Sequence, residues 1–181
     1  MNVKFCIIQS IGFIAGIFLI LSYFRKDTNK VLSFHIISGS LDFLHYFMLN
    51  AYTGAFIYLL EATRDILYYK TDKEKYIFIL SAIIYLTISL CGVRTMYDYL
   101  PIAASLIDGY SLTLEKKYVT IGAIISYTIW VIYNIHVLSI SGLIIDGIIA
   151  VSNIMILLSS RSEKEKNCTF VNDVKHNILE K

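Results

Sequence analysis

Seven ionisable residues, Asp42, His45, Glu61, Arg64, Asp65, Asp108 and Asp146, stand inside long apolar stretches of this 181-residue chain, with His35 nearer the end of one stretch. A charge at the centre of a membrane helix costs about 2.5 to 3.5 kcal/mol on insertion scales, so such groups turn inward and commonly serve a solute or proton path. Five acids face one Arg, and that balance requires some of the acids to be protonated, hydrated or close to an interface. Glu61, Arg64 and Asp65 are three and four apart, which puts them on neighbouring rows of one helix. That spacing predicts a structural ion pair between Glu61 and Arg64, because buried charges are normally paired. Arg64 can instead snorkel toward the headgroups near Lys70. Asp42, His45, Glu61 and Asp65 are all competent metal ligands, but no diagnostic spacing such as HExxH joins them. Neither a metal nor a cofactor is expected. No nucleophile-and-base set or phosphate-cradling loop is written in the chain, and the expectation is that it is not an enzyme.

The elements that hold these groups are helices. The chain is 56% hydrophobic and 17% charged, against roughly 45–50% and about 25% for ordinary soluble domains, with a mean hydropathy of +0.63. Apolar runs between polar breaks predict seven transmembrane spans: Phe5–Phe24, Val31–Leu49, Thr53–Tyr69, Tyr76–Val93, Tyr99–Leu114, Val119–Val137 and Ser141–Ser159. Short cytoplasmic loops concentrate Lys and Arg, and seven spans sort these residues cleanly. Arg25, Lys26, Lys30, Lys70, Lys73, Lys75, Lys116, Lys117, Arg161, Lys164, Lys166, Lys175 and Lys181 fall on one side. Only Lys4 and Arg94 fall on the other. The N-terminus is therefore expected outside and the C-terminus in the cytoplasm. Residues 1–160 form a single transmembrane domain, and 161–181 a charged, mobile cytoplasmic tail.

A net charge of +2, scattered over inter-helix segments, gives no clustered basic face for nucleic acid. Cys6, Cys91 and Cys168 lack CxxC spacing and read as free thiols. Gly12 and Gly16 make a GxxxG, which serves close helix packing within the bundle or in a homo-oligomer.

A shift of 88 residues lays the first three spans on the last three: Ile36-Ile37-Ser38 falls on Ile124-Ile125-Ser126, Gly54 on Gly142, Ala62 on Ala150 and Ile66 on Ile154. Four spans separate equivalents, so the two triplets share one orientation. The plan is 3+1+3: repeat one at about 5–69, an inverting linker helix at 76–93, and repeat two at about 99–159. Parallel repeats of this kind place sites near the midplane between them.

The segment from His45 to Gly54 with Arg64 downstream, together with Leu100-Pro101, Trp130-Val131-Ile132-Tyr133-Asn134 and Ser141-Gly142, resembles the YgjV family of bacterial inner-membrane proteins over roughly Ile11 to Leu158. That resemblance implies a bacterial cytoplasmic membrane. More distantly, the plan is similar to the SWEET and PQ-loop carriers, without the Pro-Gln dipeptide of the latter. Those carriers place an aromatic or small residue on the second helix of each triplet, and an Asn on the third, around a central solute. At the 88-residue shift Asp42 falls on Trp130 and Asp65 on Asn153. The resemblance thus implies a midplane pocket lined by Asp42, Asp65, Trp130 and Asn153, with His45 one turn away as a modulator. Trp would stack on a ring or sugar face, Asn would donate and accept, and the acids would favour a cation or take up a proton. Blander readings stand beside each: Trp as an interfacial anchor, Asn as an inter-helix hydrogen bond, His45 as a satisfied packing residue. Asp146, at the position of Tyr58, is expected in an extracellular vestibule. The function expected is a carrier of a small polar or cationic solute in the lipid bilayer. The alternative is a membrane receptor or assembly factor that presents its tail to a protein partner.

Overall fold

The computed structural model describes residues 3–179 apart from 26, 72 and 92, with side chains through residue 159 apart from 23, 28, 65, 68, 69, 74, 90, 91 and 116. The described residues are all-helical, with seven α-helices: α1 Val3–Tyr23, α2 Thr28–Met48, α3 Tyr52–Lys70, α4 Glu74–Cys91, α5 Tyr99–Ser111, α6 Lys116–Val137 and α7 Ile140–Leu179. A single 3₁₀ turn, Met96–Asp98, precedes α5.

Among the described residues, three helical stretches are long and apolar enough to cross a membrane: Val3–Ser22, Lys117–Val137 and Ile140–Ser159. Lys75–Ser89 is apolar but shorter. At 13 residues, α5 is about 20 Å long, short of the roughly 30 Å hydrocarbon core. The polar groups of the bundle point in and its apolar groups point out. Ser38, His45, Arg64, Ser105, Ser126, Asn134 and Asp146 are buried, while Ile17, Ile79, Ile83, Leu86, Ile132, Ile148 and Met155 are exposed. Lipid accepts such a surface and water does not.

Packing follows the chain. α2 lies against α1 and α3, α6 against α5 and α7, α1 meets α7, α3 meets α5, and α4 rests on α3 and α5. The α1 glycines explain one junction: a Cβ on Gly12 would strike Ser141 and the His45 ring, and one on Gly16 would strike Ile145. The GxxxG is thus used within the chain, against α7.

The α2–α3 and α6–α7 turns are built alike. Each ends its helix on a left-handed residue, Asn50 at φ 61° and Leu138 at φ 59°. Each then closes with a backbone bond of 3.0 Å, Ala51 N–H to Tyr46 O and Ser139 N–H to Asn134 O. This is the helix-ending geometry in which an amide beyond the left-handed residue reaches back to an orphan carbonyl. Asn tolerates the conformation and Leu does not.

The backbone of α7 continues as helix from the last span into the charged tail, to Leu179. The Glu and Lys residues at 163–166 favour helix.

Candidate functional site

A cavity of about 360 Å³ lies among α1, α2, α3, α5, α6 and α7. α2 contributes Val31, Leu32, His35, Ser38, Gly39 and Asp42 to its wall, and α6 contributes Val119, Thr120, Ala123, Ser126, Tyr127 and Trp130. Every member of the first set lies 88 positions before a member of the second. α3 adds Tyr58, Glu61, Ala62 and Arg64, α5 adds Asp108 and Leu112, and α7 adds Asn153. The lining starts near the helix ends that carry the Lys-rich and Arg-rich connections and stops at Asp42, Tyr58 and Trp130. With a rise of 1.5 Å per residue, Asp42 and Trp130 each stand about 21 Å from the start of their own helices.

Beyond that floor the bundle is filled. The Tyr58 and Trp130 rings are 4.6 Å apart at 34°, and Tyr46 stacks on Tyr58 at 5.1 Å. The Tyr46 hydroxyl donates to Asn134 Oδ1 at 2.5 Å, and Asn134 Nδ2 donates to Asp146 Oδ2 at 2.8 Å. Tyr133 sits edge-on to Trp130 at 5.7 Å, and its hydroxyl accepts the Gly54 amide at 3.3 Å. The two turn glycines make this closure possible. A Cβ on Gly54 would come within 2.8 Å of the Tyr133 ring, and one on Gly142 within 2.6 Å of Asn134 Oδ1.

A second, smaller cavity of about 170 Å³ lies on the far side of this plug, lined by residues 50–53, Arg94, Thr95, Asp98, Tyr133, His136 and Val137. Arg94 lies over the Tyr52 ring at 5.5 Å, and Tyr97 stacks on His136 at 3.8 Å. Burial works to raise the Asp98 carboxyl, but the Thr95 and Arg94 amides and the Thr95 and Thr53 hydroxyls outweigh it and hold the group below its ordinary range.

A family model described as Imp-YgjV, bacterial inner membrane protein, matches residues 6–164. The chain belongs to this family. Its place is the inner membrane of bacteria, and the inward-polar, outward-apolar bundle is what a multi-pass helical protein needs there. No curated protein and no solved structure matches the chain.

In this YgjV protein, Asp42, Trp130 and Asn153 share the cavity wall. Asp42 accepts a hydrogen bond from Ser38 at 3.3 Å, and Asn153 Nδ2 caps the Ile149 carbonyl at 2.9 Å. The side chain of Asp65 lies outside the described residues. His45 packs at the α1–α2–α7 junction, outside the cavity wall. Its Nδ1 meets the Ile8 carbonyl and its Nε2 the Ser139 hydroxyl, each at 2.8 Å. A carbonyl can only accept, so Nδ1 carries the proton.

Glu61 and Arg64, the two members of the expected α3 pair, also have partners on α5. Arg64 pairs with Asp108 on α5 at 3.4 Å, and Glu61 accepts from the Ser105 hydroxyl, also on α5. Two residues of one helix row thus reach a neighbouring helix, because inward-turned polar groups find their partners across the bundle. Asp146 is not in a vestibule. It is buried, 3% exposed, and bonded to Asn134. Tyr46, Tyr58, Tyr133 and Asn134 were missed by the residue reading. The signal that could have found them is the 88-residue register itself, which sets Tyr46 on Asn134 and Tyr58 on Asp146.

Proposed function

We propose that the chain is a carrier of a small polar or cationic solute that works by alternating access between two parallel triplets, α1–α3 and α5–α7, joined by α4 as an inverting linker. The observation that carries this reading is the cavity wall, in which six α2 positions and their six partners 88 residues later on α6 face one another around a blind-ended space. Exchanging α1 with α5, α2 with α6 and α3 with α7 returns the same contacts among those six helices, α4 standing outside the exchange, and the paired left-handed residues Asn50 and Leu138 obey it too. Such a two-fold plan allows one triplet to rock against the other around a fixed site. The cavity reaches from the basic helix ends to Trp130 and the second cavity approaches from the other side, with the Tyr46–Asn134–Tyr133 plug between them. This is the arrangement of a carrier open to one face only. With the positive-inside rule, that face is the cytoplasm, the N-terminus is outside, and the C-terminus is inside.

The test is a thermal-shift screen of detergent-purified protein against sugars, amino acids, polyamines, nucleosides and vitamins, repeated with Asp42→Asn and Trp130→Ala. A bound solute raises the apparent stability by mass action. A shift that both variants abolish supports the carrier; a shift that neither variant alters refutes the site. The receptor or assembly-factor reading draws on the helical continuation of α7 to Leu179, a rod a protein partner could grip. Deleting residues 161–181 would then abolish function while the Asp42 and Trp130 variants retained it.

A further inference from the structure

The floor of the cavity has two chemically different sides. One is aromatic: the Tyr58 and Trp130 rings, with Tyr46 stacked behind. The other is acidic. Asp42 is half-buried and lines the cavity, and among the described residues the carboxyls of Asp146 and Glu61 act on it electrostatically. Its described hydrogen bond comes from a neutral hydroxyl, that of Ser38. Arg64 stands farther along the wall, 3.4 Å from Asp108.

We infer that the solute is a small organic cation, an alkylammonium or quaternary ammonium, seated with its charge between Asp42 and the faces of Trp130 and Tyr58. This deepens the carrier reading and rests on it. The ring faces are negative at their centres and attract a cation strongly once water is removed. They offer no lone pairs, so they suit an organic cation and do not complete a metal's shell. Among the described residues no group of three His, Cys, Asp or Glu side chains is placed to hold a metal. A volume of about 360 Å³ is at the small end of ligand pockets, which fits a compact ammonium. A neutral sugar would leave Asp42 facing two acids with no gain from the encounter.

The experiment is isothermal titration of the purified full-length chain with choline, tetramethylammonium and methylguanidinium, and with 3,3-dimethylbutan-1-ol, the neutral isostere of choline. Saturable binding of a cation is expected, with none of the isostere. Trp130→Ala should weaken it by roughly tenfold or more, and Asp42→Asn should abolish it. Trp130→Phe and Asp42→Glu, which keep a ring and a charge, should bind within a few-fold of wild type and so separate recognition from misfolding. Equal binding of choline and its isostere, or no binding of any of the three cations, overturns the inference. If a sugar or another neutral solute stabilises the protein through Trp130 instead, the cation assignment falls while the carrier reading stands. If no solute of any class depends on Trp130 or Asp42, the carrier reading falls with it.

Discussion

Tyr46 and Asn134 are joined by a hydrogen bond of 2.5 Å across the centre of the bundle, and they lie 88 positions apart in the chain. Asn134 passes the connection to Asp146, and Tyr46 passes its own to Tyr58 by stacking. Tyr46→Phe keeps the ring stack and removes the hydroxyl. A double-mutant cycle with Asn134→Leu should give a coupling of about 0.6 kcal/mol or somewhat above, the scale of inter-helix hydrogen bonds in membranes. Unfolding in mixed micelles measures it, and a coupling of zero would mean that the bond adds nothing to the plug.

The turn glycines should be intolerant to a single methyl group. Gly142→Ala places a Cβ 2.6 Å from Asn134 Oδ1 and 2.7 Å from both the Ser139 and Tyr46 hydroxyl oxygens. Overpacking of this kind costs typically about 1–3 kcal/mol. Gly147 has nothing within 4 Å of its virtual Cβ, so Gly147→Ala is the matched control. Thermal unfolding should show a lowered Tm for the first substitution and an unchanged Tm for the second.

Leu138 holds φ 59° with its side chain 70% exposed. The left-handed region costs an ordinary residue about 1–2 kcal/mol, and Asn occupies it more readily. Leu138→Asn reproduces the residue that the other turn already carries at position 50, and it should raise Tm. Loss of stability would show that the exposed Leu side chain is held by lipid strongly enough to outweigh backbone strain.

Arg64 and Asp108 link α3 to α5, with Arg64 5% and Asp108 27% exposed. Arg64→Leu should destabilise the protein by more than about 1 kcal/mol, because a carboxyl loses its cation in a desolvated setting. Adding Asp108→Leu should recover part of that loss. A double variant no better than the single one would assign Arg64 to other contacts.

Asp98 ties the α4–α5 connection to the outer cavity through the Arg94 and Thr95 amides, at 3.0 and 2.8 Å. Its carboxyl lies below the ordinary range when folded, so it stabilises the protein above the unfolded value near 3.9. That contribution should disappear as pH falls through the lower, folded value. A Tm profile of the wild type should drop more steeply below about pH 4 than that of Asp98→Asn. Parallel profiles would rule out the latch.

The helices were legible because hydropathy in runs of about 20 residues is a strong local signal, and seven α-helices stand where seven apolar runs were read. Part of the cavity wall was legible too: Asp42, Trp130 and Asn153 are polar or aromatic groups too costly to leave in lipid, and they line the cavity. Partner choice was not. Glu61 and Arg64 share a row on α3, and nothing in that row announces that Ser105 and Asp108 of α5 also bond them. His45 looked like a site residue by type, and two ordinary hydrogen bonds satisfy it away from the cavity.

The sequence by itself determined that this is a helical membrane chain, about where along it the seven apolar helices lie, and which connections are basic, because cost in lipid and charge asymmetry act on each segment separately. Only the tertiary structure decided that Tyr46 reaches Asn134, that Asp146 is sealed behind the plug, and that a cavity remains in front of Trp130. Those facts depend on the crossing and approach of helices far apart in the chain, set by side-chain volume at glycines such as Gly54 and Gly142. No single segment carries that information.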